Sequence, residues 1–79
     1  MSHTPHELHE EFPDKLDALH TLKEIDGNFR HLADRYHEIN RAIHRAETNV
    51  EPTSAIAEEN LRKERVHLKD QIAAKLAQA

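Results

Sequence analysis

The chain has no cysteine and no tryptophan, one glycine and three prolines among its 79 residues. Without cysteine it has no disulfide to staple it, the device on which many small chains depend. Aromatic residues are scarce, two Phe and one Tyr, so few rings are available to stack on nucleic-acid bases. Positive charge is not in excess: 11 Lys and Arg face 15 Asp and Glu, a formal charge of -4. That balance argues against DNA or RNA as the main partner, because phosphate neutralisation needs clustered cations. No apolar run approaches the roughly 18 to 20 residues that cross a bilayer. Residues 1–11 lack both the basic start and the apolar core of a secretory signal. The missing signal and the missing cysteine together point to the cytoplasm.

What is present is one apolar stripe. Ala18, Leu22, Ile25, Phe29, Leu32, Tyr36, Ile39, Ile43, Ala46 and Val50 alternate at spacings of four and three. This is a 3.5-residue repeat over about four heptads. A helix carrying it must bury it against another helix. The stripe, the lone glycine and a charged content of 33% predict an all-α chain, an antiparallel two-helix coiled-coil hairpin preceded by a short N-terminal helix.

Punctuation divides the chain. Residues 1–12 read as a mobile, His-rich, acidic tail, and residues 13–79 as a single helical-hairpin domain. Pro13 suits the first turn of a helix over about 13–25. Asp26-Gly27-Asn28 interrupts it, with Asp26 placed to cap a new helix. The heptad phase runs through Gly27 without a slip, which favours a kink over a full turn. The next helix covers about 28–48, followed by a loop at 49–53 around Pro52. Thr53 or Ser54 caps the last helix, about 54–78. That helix lines up Ala57, Leu61, Leu68, Ile72 and Leu76, with the aliphatic stem of Arg65 in the same stripe. Glu58–Arg62 and Glu59–Lys63 are i,i+4 pairs of favourable orientation.

Two helices leave the stripe half covered, so either the first helix folds back or a second copy covers it. A homodimer of hairpins, forming a four-helix bundle, is the favoured solution. The expected interaction seam is Leu22, Ile25, Phe29, Leu32, Tyr36, Ile39 and Ile43 facing Leu61, Leu68 and Ile72.

The chain resembles the YdcH-like family of small bacterial proteins of unestablished function. The likeness rests on Pro5-His6-Glu7-Leu8, Glu11-Phe12-Pro13, Phe29, Tyr36-His37-Glu38 with Asn40, Ile43-His44-Arg45, Glu51-Pro52-Thr53-Ser54, Leu61-Arg62-Lys63 and Leu68-Lys69-Asp70-Gln71-Ile72. Ala55 stands where relatives often carry Asp. The resemblance implies a small cytoplasmic helical hairpin and transfers no catalytic residues.

Histidine is over-represented, eight of 79. His3, His6 and His9 recur every third residue and are the candidate metal ligands; the bland alternative is a solvated tail. His37 and His44 lie two turns apart, too far for one shared ion. Glu7, Glu10, Glu11, Asp14 and Asp17 form an acidic cluster that reads as a docking tail or as dipole-compatible acid at a helix start. Arg62, Lys63, Arg65 and Lys69, with Arg41 and Arg45, form a basic patch interleaved with acids, which reads first as a solvated face. Tyr36 sits in the seam. A two-helix hairpin offers no dry cleft for a nucleophile and base, so no enzyme and no cofactor is expected. The expectation is a non-enzymatic interaction or regulatory module that associates with itself and an unidentified protein; a metal carrier using the N-terminal histidines is the alternative. A nucleic-acid accessory role is the weakest reading.

Overall fold

The computed structural model describes residues 5–48 and 54–78. Within them the chain forms α1 (Leu8–Glu11), a 3-10 turn (Pro13–Lys15), α2 (Leu16–Ile25), α3 (Gly27–Glu47) and α4 (Ala55–Gln78). No strand occurs among the described residues. Pro13 ends α1, because it offers no N–H and its ring clashes with the preceding turn.

The boundary between α2 and α3 is one residue long. Asp26 is extended, φ -121 and ψ 105, which breaks the helical path outright. Its Oδ1 accepts from the Phe29 N–H at 3.1 Å, satisfying one of the orphan donors of the new helix. Lys75 Nζ donates to the second oxygen at 3.0 Å, tying this corner to the far end of α4. The two hydrogen bonds, Lys75's first, hold the Asp26 carboxyl below its ordinary range. Gly27 is not what makes the break: its φ is not positive, and an added Cβ would meet only Arg30 Nη2 at 3.8 Å.

Helices α3 and α4 pair antiparallel. The cross-links run in opposite order along the two: Glu47 with Arg62, Asn40 with Arg65, Asp26 with Lys75. Phe29, Tyr36, Ile39 and Ile43 on α3 meet Leu68, Ile72 and Leu76 on α4 in one continuous core. Ser54 Oγ accepts from the Ala57 N–H at 3.1 Å and starts α4, as its position before the helix implied.

Several expectations change. The heptad does not run through residue 26 as a kinked helix. One extended residue redirects α2 back along α3, so that Leu16, Leu19 and Lys23 share a concavity with Ala33 and His37. Leu19 is therefore buried and Leu22 half-buried against the core, whereas Ile25 is 73% exposed and leaves the seam. The tail assigned to 1–12 is not free from Pro5 onward: Leu8 is buried in the core and Phe12 packs against it. Residues 1–4, including His3, and the loop at 49–53, including Val50, lie outside the described residues. α2 and residues 5–12 cover much of the seam within one chain, and Leu22, Leu32 and Leu61 stay half-buried.

Candidate functional site: the hairpin face beneath residues 5–12

The distinctive feature of the α3–α4 face is that its buried polar groups read a backbone. Tyr36 and Asn40 stand one turn apart on α3 and are 0% and 1% exposed. Buried donors must find partners, since an unsatisfied one costs about 1–3 kcal/mol. Both find them in the N-terminal segment. The Tyr36 hydroxyl donates to the His6 carbonyl at 2.6 Å, and Asn40 Nδ2 donates to the Pro5 carbonyl at 2.7 Å. On its other side Asn40 Oδ1 accepts from Arg65 Nη1 of α4 at 3.0 Å, which orients the amide. Burial pushes the Tyr36 hydroxyl up to about 12, with the negative charges of Glu11 and Glu7 adding to it. It stays a neutral donor at physiological pH.

Side chains of the segment fasten it on both flanks. Glu7 Oε2 lies 2.8 Å from His37 Nδ1. Lys69 Nζ donates to Glu11 Oε1 at 2.8 Å, and that bond, ahead of any other influence, lowers the Glu11 pKa. Leu8 enters the apolar layer between these pairs, and the Lys69 ammonium lies 5.9 Å from the centroid of the Phe12 ring. His6 takes φ 63, the left-handed region that non-glycine residues enter at a cost. The docked contacts hold it there.

A concavity of about 340 Å³ lies beside the segment, where α1, α2 and α3 meet. His9, His20 and His37 line it together with Glu7, Asp34 and Lys23. No group of three His, Cys, Asp or Glu able to hold a metal ion occurs among the described residues. His6 is directed to Glu11, Nδ1 to Oε1 at 3.6 Å, and His9 lines the concavity, so these two candidate ligands are put to different uses. His20 pairs with Glu24 at 3.1 Å.

Three cations of the basic patch, Arg62, Lys63 and Lys69, are paired with carboxylates. Arg62 reaches Glu47 at 2.9 Å and Glu58 at 3.3 Å, and Lys63 reaches Glu59 at 3.6 Å. Arg65 serves Asn40 and Lys69 serves Glu11. Two of the five acids of the expected docking tail, Glu7 and Glu11, thus dock on their own chain. Of the expected seam, Phe29, Tyr36, Ile39, Ile43, Leu68 and Ile72 are buried, Leu32 and Leu61 are half-buried.

The sequence marks Asn40 only through the family resemblance and not as a buried donor. A signal existed: Ala33 and Asn40 repeat at seven residues beside the stripe, and a third buried column is what a globular helix adds to a two-column seam.

Residues 29–76 match the family described as protein of unknown function (DUF465). No curated protein and no solved structure matches the chain. The match takes in nearly all of α3 and α4 and with them every hairpin residue of the groove, more than half of the sequence, and the protein belongs to this family of unknown function.

Proposed function

We propose that this protein is a small, non-enzymatic protein-interaction module of the YdcH-like kind, acting in the cytoplasm. One observation carries the reading: the hairpin holds the N-terminal segment, a turn at Pro5-His6 that leads into α1, through two side-chain donors aimed at consecutive backbone carbonyls. Main-chain reading combined with side-chain pockets is how proteins bind peptides. That no helix among the described residues is long and apolar enough to cross a membrane accords with it. Partner contact uses the groove and the outer helix faces, because most of the heptad seam is buried within the chain.

The test is recovery of the full-length protein from its host through a C-terminal tag, which leaves residues 1–12 untouched. A protein recovered at near-stoichiometric amount, and rebinding as a purified component, is the expected result. Recovery of the bait alone would overturn the proposal.

A further inference from the structure

We propose that the groove between α3 and α4 is a recognition site for a partner's acidic, leucine-bearing segment, and that residues 5–12 are its resident competitor. The inference rests on the interaction-module reading and names its surface and ligand class.

Three features specify the ligand. Tyr36 and Asn40 demand two consecutive backbone carbonyls, which any peptide supplies. The buried position of Leu8 demands a leucine-sized aliphatic group two residues beyond the second carbonyl. The flanking His37 and Lys69 are complementary to carboxylates one residue before and three residues after that leucine, as Glu7 and Glu11 are placed. Both donors are rigid: Tyr36 lies in the core, and Asn40 is braced from α4 by Arg65. The groove is therefore formed by the hairpin itself, and its hairpin residues all fall within 29–76, the stretch matched by the family, while the occupant lies outside it.

The resident segment is an imperfect ligand. His6 must adopt φ 63, a conformation that glycine enters freely and histidine does not. A partner segment with glycine at that position binds without this strain. The resident compensates through covalent attachment, which sets its local concentration on the order of millimolar. A partner must exceed that, so occupancy in cis sets a threshold for binding.

The probe is a fluorescent synthetic peptide copying residues 4–15, in two forms, one native and one with His6→Gly. Its anisotropy is followed with the full-length chain and with a full-length Glu7→Gln/Glu11→Gln variant, which removes the two fastening carboxylates and leaves the apolar packing intact. The variant's helicity is checked by circular dichroism. The glycine probe is expected to bind the variant at least about tenfold more tightly than the parent chain, and about fivefold or more tighter than the native probe. Adding Tyr36→Phe to the variant is expected to weaken it about two- to tenfold. A folded variant that ignores the glycine probe at millimolar concentration would overturn the proposal, as would binding indifferent to Tyr36→Phe. A concentration-dependent dimer abolished by Tyr36→Phe would assign the groove to a second copy and overturn the partner assignment. A host partner whose binding survives Tyr36→Phe would leave the interaction module standing and this groove refuted. Specific probe binding with no host partner would do the reverse.

Discussion

The two ends of the hairpin are built differently. At the end where α2 turns back, three layers meet: Leu19 from α2, Phe29 and Ala33 from α3, and Ile72 and Leu76 from α4 are all buried, and the docked segment adds Leu8 next to them. At the end nearer the connecting loop there are two layers. The first three turns of α4 contribute no buried residue, Leu61 being half-buried and Ile56 73% exposed. The apolar contact there comes from Ile43 and Ala46 of α3 with half-buried Leu61, and the exposed Arg62–Glu47 pair bridges the helices beside it. Exposed pairs of this kind contribute little after screening and side-chain entropy, whereas each buried aliphatic or aromatic side chain contributes about 1.5–3 kcal/mol. The lesson is that a 79-residue chain concentrates its stability at one end by adding a third layer, and the third layer is made of the least obviously structural part of the sequence.

The largest effect that can break this contrast is at the thick end. Phe29→Ala removes a fully buried ring and is expected to cost about 3–5 kcal/mol, enough to abolish the cooperative thermal transition of a small domain. A melt by circular dichroism that overlays the parent would show that the ring is not the core.

Leu8→Ala sharpens the comparison, since it tests whether residues 5–12 belong to the core. A loss of roughly 2–5 kcal/mol is expected in urea unfolding. Ile56→Ala, an equally large truncation at the thin end, is expected to stay within about 0.5 kcal/mol. Equal effects would remove the distinction between the ends.

Tyr36 gives an independent optical reading of docking, because the chain has one tyrosine and no tryptophan. Its phenolate absorbance is expected to titrate with a midpoint of about 12, raised from 10.0 by burial. Since the folded value lies above the unfolded one, the stability it contributes is complete below pH 10 and is lost as pH rises toward 12. A midpoint at the ordinary value would mean that the segment does not cover the ring. The acid side works with opposite sign: Glu11 is lowered from 4.5, so its contribution is complete above that pH and fades as pH falls through the lowered value.

Two smaller effects complete the series. Gly27→Ala is expected to raise stability by about 0.4–1 kcal/mol in the same unfolding assay, by restricting the unfolded chain; a loss would show that the corner needs glycine after all. Arg62→Gln at the thin end is expected to leave the melting temperature unchanged, and a clear drop would mean that the exposed network holds that end together.

Local signals were legible and long-range ones were not. The helix expected over about 54–78 corresponds to α4, Ala55–Gln78, because apolar spacing and a serine cap act over a few residues. Asp26 was recognised as a cap from its chemistry alone. Its larger consequence, the reversal of α2, stays open in the sequence against coverage by a second copy, because heptad counting assumes an unbroken helix and one extended residue resets the direction. Ile25 fits the stripe by number and yet faces solvent for that reason. The segment 5–12 looked like a tail because its composition is polar. Its docking depends on Tyr36, His37, Asn40 and Lys69, which lie 30, 30, 35 and 58 residues from their partners in it.

The order of residues along this chain by itself determined that it is helical, about where α3 and α4 lie, and that these two pair, since periodicity, caps and breakers are properties of neighbouring residues. Only the tertiary structure decided that α2 folds back and that an acidic N-terminal segment closes the hairpin face. Both outcomes rest on groups distant in sequence meeting in space: carboxylates finding Lys69, Lys75 and His37, and two buried donors on α3 finding the carbonyls of Pro5 and His6.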